Sequence, residues 1–272
     1  MTETAKLPII DLSSPDRIST ANSIRQACVD YGFFYLVNHG VEGQLLSKVL
    51  EESDSKEGFY VGPVEGDMAQ TNLNQWPSQE IFPTWRLTME CYHKKLMSAG
   101  KKLIYLIALA LNLDEDYFEK VGALDTPNGF LRLLHYPGEL GCFNEEIYGA
   151  SEHSDYGMIT LLASDGVPGL QVCKEKFNQP RLWEDVPHIK GAFIVNIGDM
   201  MERWTNCLFR STLHRVMPTG QERYSLAFFL DPNPDCVVEC LESCCSSSCP
   251  ARFPPIRSGA YLEERFKLSY GE

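Results

Sequence analysis

Apolar positions along this chain follow two rhythms, and the change falls near residue 129. Before it the helical period dominates. Residues 16–30 put Ile24, Ala27 and Cys28 on one face, and Gln44 to Glu52 does the same with Leu45, Leu46, Val49 and Leu50. Residues 85–113 hold no proline and a single glycine, and Leu87, Cys91, Leu96, Leu103, Ile107 and Leu111 recur at helical spacing, which predicts one long helix. Two strands interrupt this part: Leu7–Leu12, with Pro8 near its start where a strand tolerates it, and the aromatic, apolar run Tyr31–Gly40. Gly58 to Gly62 reads as a strand edge. After Gly129 come short β-like runs, Phe130–Tyr136, Met158–Ala163, Leu170–Val172, Ala192–Ile197, Thr212–Met217 and Tyr224–Leu230, punctuated by Pro-Gly, Asp-Gly, Gly-Asp and Pro-Asn. Runs of this length and spacing predict an antiparallel sandwich or barrel. The expected fold is mainly β with flanking helices, in one domain: residues 1–125 mostly helical with two strands, residues 126–272 the β core.

Composition narrows the function classes. With 272 residues, 44% hydrophobic and 22% charged, the chain is long enough and apolar enough for a sizeable core, which excludes disordered and fibrous classes. Lys+Arg 24 against Asp+Glu 37 leaves a net charge of -13, a field that repels nucleic acid and anionic lipid, so neither is expected as a partner. The longest apolar run, Leu103 to Leu111, is too short to cross a bilayer. Residues 1–20 carry Glu3, Lys6, Asp11, Asp16 and Arg17 and no apolar stretch of the secretory kind, so the expected location is cytoplasmic. The expected state is a monomer acting on a small-molecule substrate. Of 10 cysteines, Cys28, Cys91, Cys142, Cys173 and Cys207 are scattered through apolar segments, while Cys236, Cys240, Cys244, Cys245 and Cys249 crowd into Ser-rich sequence. Zinc sites favour two separated knuckles, which this monotonous run does not form, so a reduced and mostly exposed loop is expected.

The chemistry concentrates in the β half. In Glu152-His153-Ser154-Asp155, residues i and i+2 of a strand would point an imidazole and a carboxylate to one side. A second imidazole, His214, follows in another β-like run. Two imidazoles and one carboxylate without a fourth protein ligand match the 2-His-1-carboxylate triad of non-haem Fe(II) oxygenases, which leaves positions open for O2. Nine residues beyond His214 begins Arg223-Tyr224-Ser225, where a guanidinium fork and a hydroxyl share a strand face and suit bidentate capture of a carboxylate. Each piece alone is weak; a lone histidine in a strand is more often a packed core residue. His39, His93 and His188 lack a carboxylate two residues away on a strand. The combination, in this order and context, is specific.

These residues resemble the Fe(II)- and 2-oxoglutarate-dependent dioxygenase superfamily, in the branch of plant and fungal specialised-metabolism oxygenases and isopenicillin N synthase. The stretch Asp30–Gly40 is similar to that branch's N-terminal signature; Val167–Val172, Gly191–Asp199 and Ser211–Val216 are similar to its C-terminal blocks. The resemblance implies a double-stranded β-helix (jelly-roll) core with iron at one mouth. It further implies Fe(II) on His153, Asp155 and His214, and 2-oxoglutarate held by Arg223 and Ser225 at its distal carboxylate, with Tyr136 near the other end. O2-driven decarboxylation to succinate and CO2 would then be coupled to hydroxylation, desaturation, epoxidation, ring closure or demethylation. Leu134 stands where the family often has Asn. Tyr156 and Phe229 are candidates for the substrate wall, with ordinary aromatic core as the plainer reading. Two other classes compete: an iron oxidase of the isopenicillin N synthase kind that does without 2-oxoglutarate, and a catalytically inactive jelly-roll that only holds a ligand. The family also carries several dozen more residues between Ser53 and Glu57. Either this chain has a deletion there, or a mobile lid segment intervenes. The lid reading is preferred, so some Cα step there should exceed the usual value of about 3.8 Å several-fold.

Overall fold

The first helix begins where a carboxylate can stop its end from fraying. Asp16 accepts a hydrogen bond from the Ser19 amide at 3.0 Å, and helix α1 (Arg17–Asp30) follows, burying Ile24, Ala27 and Cys28. The structure is a computed structural model that describes residues 3–53, 58–64, 74–138 and 149–271. Residues 54–57, on which the expected long step would fall, lie outside the described residues.

Two short strands, β1 (Glu3–Thr4) and β2 (Ile9–Asp11), precede α1; β3 (Phe33–Val37), α2 (Gly43–Ser53) and β4 (Gly58–Val61) follow it. The long α3 (Trp85–Ala110) and the single turn α4 (Tyr117–Lys120) complete the helical part. Then come β5 (Asn128–Tyr136), β6 (Ala150–His153), β7 (Ile159–Ser164), β8 (Leu170–Cys173), β9 (Glu184–Asp185) and β10 (Phe193–Ile197). After α5 (Asp199–Trp204), strands β11 (Leu213–Val216) and β12 (Arg223–Asp231) close the core. The pair β13 (Val237–Val238) and β14 (Ile256–Arg257) leads into α6 (Ser258–Tyr270).

A seven-stranded sheet, in the order β2-β3-β10-β7-β12-β5-β4, faces a five-stranded sheet, β1-β9-β8-β11-β6. The two form the double-stranded β-helix core. Side chains of the large sheet split between two cores with the period of two that a strand imposes. On β3, Phe34 and Leu36 join the helix-side core while Phe33 and Tyr35 join the core between the sheets. On β10, Val195 and Ile197 go to the helix side and Ile194 goes inward. With both faces covered, these strands read in sequence as continuous apolar runs rather than alternating ones.

Three sequence expectations need correction. Among the described residues the part before residue 126 contains four strands, not two; β1, β3 and β4 pair with strands of the core and β2 pairs with β3, so it is woven into both sheets. The buried face of α3 runs through Trp85, Met89, Tyr92, Leu96, Leu103 and Ile107; Leu87 and Cys91 instead face solvent. Of the five crowded cysteines only Cys249 is exposed: Cys236 is buried and the other three are half-buried, because Asn206 ties the loop down through the carbonyls of Cys244 and Pro250.

One glycine is required at the turn from α1 into β3. Gly32 has φ +67, and a Cβ there would lie 2.1 Å from the Arg210 carbonyl oxygen. Gly32→Ala combines backbone strain with a backbone clash and should cost at least about 2 kcal/mol, read as a fall in the urea midpoint.

Candidate active site

His153 closes β6 and His214 sits on β11, and the antiparallel register sets them directly opposite each other. Their rings lie 4.2 Å apart between centroids. Each ring's Nδ1 is committed to a backbone carbonyl two residues earlier, Ser151 at 2.7 Å and Thr212 at 3.1 Å. That arrangement fixes the tautomer with the proton on Nδ1 and leaves both Nε2 lone pairs free for a metal. The edge of Phe33 supports the His214 ring at 5.4 Å.

Asp155 is not on the strand, as H-x-D spacing had predicted; β6 ends at His153 and Asp155 lies in the connection to β7. What aims it is hydrogen bonding. Its carbonyl oxygen accepts from the Asp199 amide at 2.8 Å. Its Oδ2 accepts from Thr160 Oγ1 at 2.5 Å and from Asn196 Nδ2 at 2.7 Å. Oδ1 is left facing the two imidazoles, 3.7 Å from His153 Nε2 and 3.6 Å from His214 Nε2. The three side chains offer ligand atoms within 4.8 Å of one another, the one such group among the described residues. Asp155 and His214 are buried and His153 is exposed, so the cluster opens to solvent on the His153 side.

The electrostatics suit a divalent ion. Burial pushes the Asp155 carboxyl up, but the imidazoles and the Thr160 and Asn196 donors outweigh it and hold it below the ordinary carboxylate value. Burial depresses His214 against the pull of Asp155, which favours the neutral imidazole. An ionised carboxylate with neutral imidazoles is the form that binds metal.

His153, Asp155 and Tyr156 line a cavity of about 430 Å³, together with Phe130, Phe229 and Arg132. Phe130 and Phe229 are cross-strand partners on β5 and β12 and stack at 4.7 Å. Leu262 and Phe266 of α6 wall the far side, where Phe266 meets Tyr156 edge to face. Arg223 and Tyr136 are likewise cross-strand partners, with the guanidinium 5.1 Å over the phenol ring, and line a second cavity of about 320 Å³. Arg223 is 4% exposed; its Nε donates to the Val167 carbonyl at 3.2 Å, and its Nη1 has no hydrogen-bond partner among the described residues. Burial pulls this guanidinium below its ordinary pKa, opposed by Tyr136 and Asp165. A buried cation with a free donor fits a carboxylate ligand. Ser225 is buried two residues on, on the same face of β12.

Sequence reasoning missed five contributors: Asn196, Thr160, Arg132, Leu262 and Phe266. Asn196 and Thr160 looked like ordinary strand residues, and only their register beside Asp155 reveals them. Arg132 was legible in principle: it lies two and four residues before Leu134 and Tyr136, so strand period places all three on one face. The α6 residues had no chemical signature.

Comparison with known proteins agrees with this geometry. Residues 127–232 match the family model of the 2OG-Fe(II) oxygenase superfamily, and residues 7–56 match that of the non-haem dioxygenase in morphine synthesis N-terminal region. Kihadalactone A synthase of Citrus sinensis is 35% identical over 309 aligned positions, covering 96% of this chain and 91% of its own. That span exceeds the 272 residues here, so the relative carries several dozen residues that this chain lacks. The 2-oxoglutarate-Fe(II) type oxidoreductase hxnY of Emericella nidulans is 36% identical over 254 positions, 86% of this chain and 69% of its own. The crystal structure of a full-length Neurospora crassa protein, in complex with alpha-KG and 5-formyluracil, superimposes with TM-score 0.84 and 27% identity over 95% of both chains. The chain belongs to the 2OG-Fe(II) oxygenase superfamily. It is an Fe(II)- and 2-oxoglutarate-dependent oxygenase, with O2 as the third participant.

Two outcomes test the site. Asn196→Ala removes one of two donors to the buried Asp155 Oδ2 and should lower Fe(II) affinity by about 10- to 100-fold, measured by chelator competition. The second concerns Asp231, whose carboxyl is lifted to about 7 by burial, with the charge of Asp155 adding to it. A carboxyl raised in the folded state contributes stability that is full below its unfolded pKa and is lost as pH rises from there through the folded value. Asp231→Asn should therefore raise the melting temperature of the metal-free protein at about pH 8 and flatten its decline between about pH 4 and 7.

Proposed function

We propose that the protein couples decarboxylation of 2-oxoglutarate to oxidation, by default hydroxylation, of a small organic substrate of specialised metabolism. The observation that carries this reading is the cavity in which His153 and Asp155 share walls with a stacked aromatic pair. A pocket of that size and apolar character suits a drug-sized molecule. The relatives named for making or holding small organic molecules support the same scale.

In this reading His153, Asp155 and His214 hold Fe(II), which, when bound, supplies the redox chemistry that side chains lack. Thr160 and Asn196 occupy one oxygen of Asp155, so this chain would offer an ion three protein atoms, a set that suits binding of an oxoacid and O2 as well. Arg223 grips the distal carboxylate of 2-oxoglutarate as a fork, Ser225 adds a hydroxyl beside it, and Tyr136 stands at the guanidinium. Tyr156 and Phe229 hold the substrate against the open side of the triad and exclude water from it.

Anaerobic loading with Fe(II) and 2-oxoglutarate, followed by O2 and a substrate panel, should give succinate in equal amount to oxidised product. Product without succinate would point to an oxidase. His214→Ala should abolish turnover with the fold retained. Arg223→Lys keeps the charge but loses the fork, so the KM for 2-oxoglutarate should rise by at least about tenfold. An unchanged KM removes Arg223 from this role.

A further inference from the structure

The cavity beside the triad contains a carboxyl that the reaction above leaves unused. Asp231 closes β12 opposite Asn128 of β5 and lines the same cavity as His153, Asp155 and Phe229. It is 2% exposed, and its Oδ2 has no hydrogen-bond partner among the described residues. Buried acceptors are satisfied almost everywhere in folded proteins, and an orphan of this kind is costly. The chain also makes room for it. A Cβ on Gly157, two residues from Asp155, would sit 1.8 Å from Asp231 Oδ1, so a bare backbone position admits the carboxyl beside the triad.

The surroundings define what would relieve it. Phe229 and Phe130 form the next rung of the ladder, and Arg132, whose Nε also has no hydrogen-bond partner among the described residues, stands one rung further, opposite Ala227. The wall therefore runs from an acceptor, across an aromatic pair, to a cationic donor. Four residues along a strand separate the two polar ends, about 13 Å of backbone.

We propose that Asp231 is a substrate-recognition residue: its Oδ2 accepts a hydrogen bond from an N–H or O–H group of a small, mainly apolar substrate lying against Phe130 and Phe229. This rests on the reading of the cavity as the substrate site. A site built around a buried polar group rejects analogues that cannot bond to it far more strongly than one that merely changes in size. The inference thus assigns a substrate class, donor-bearing rather than purely hydrocarbon or fully alkylated, and names the atom that selects it.

The test uses matched probe pairs: 2-pyridone with N-methyl-2-pyridone, indole with N-methylindole, and benzyl alcohol with its methyl ether. Binding is followed by ligand-observed NMR to the full chain without added metal, near pH 8. The donor-bearing member of at least one pair should bind at least about tenfold more tightly than its capped partner. Asp231→Leu, which replaces the orphan with an apolar group of similar shape, should erase that preference while leaving capped-probe binding unchanged. Should that variant fail to fold, Asp231→Asn keeps the shape with a weaker, uncharged acceptor and should reduce the preference several-fold. Equal binding of both members, no binding by any donor-bearing probe, or a preference that survives the substitution overturns the assignment. A separate arm measures the anaerobic Fe(II)–2-oxoglutarate charge-transfer absorption in the native protein and in Asp231→Leu. Its absence from the native protein defeats the oxygenase reading, and its presence beside a missing donor preference defeats this inference alone.

Discussion

Strand β12 is hydrogen-bonded on both sides, to β5 and to β7, and the side-chain period of two along it is the constraint on which the site depends. Leu226, Phe228 and Leu230 face the helices and are fully buried there. Their neighbours Arg223, Ser225, Phe229 and Asp231 necessarily face the other way. A slip of one residue would turn all seven over, driving a cation and a carboxylate into the helix-side core. The large hydrophobic contribution of that core thus acts at a distance: it fixes the register that places the polar groups of the opposite face. Among the inward residues the proposed oxoacid contact and the proposed substrate contact share a single ladder, so the spacing between them is a property of the backbone rather than of flexible loops.

The triad depends on a second division, between the two oxygens of one carboxylate. Thr160 on β7 and Asn196 on β10 occupy Oδ2, and these strands are adjacent in the large sheet. The imidazoles come from the small sheet, so the site joins the two layers. A metal ion between them would bind the layers together, and the layers in turn preorganise the ligands. Burial of Asp155 makes each of these hydrogen bonds matter more than it would at the surface.

Much of this was legible in the sequence, and the exceptions have physical causes. Core strands buried on both faces showed themselves as apolar runs, and β5 to β12 were readable except for β6 and β9. β6 escaped because Ala-Ser-Glu-His carries no apolar pattern; it is an edge strand held by backbone bonds. The spacing of His153, Asp155 and His214 revealed their convergence, but for a reason partly different from the one expected, since hydrogen bonds rather than strand geometry aim Asp155. α6 was illegible because Ser258–Tyr270 mixes charged and apolar residues without a strong stripe, and only Tyr261 and Leu262 become core. Asp231 lay in plain view after Phe229, yet what sets it apart is that it is buried and that its Oδ2 has no partner among the described residues, a property of the folded state that no local pattern records.

The position of α6 in the chain bears on the order in which the enzyme becomes whole. In the proposed reading, the triad and both oxoacid residues are synthesised before Leu262 and Phe266, which wall the cavity beside the triad. A chain synthesised only as far as the segment before α6 would lack this wall of the cavity. The cavity is walled only once the last helix docks on the core through Tyr261 and Leu262.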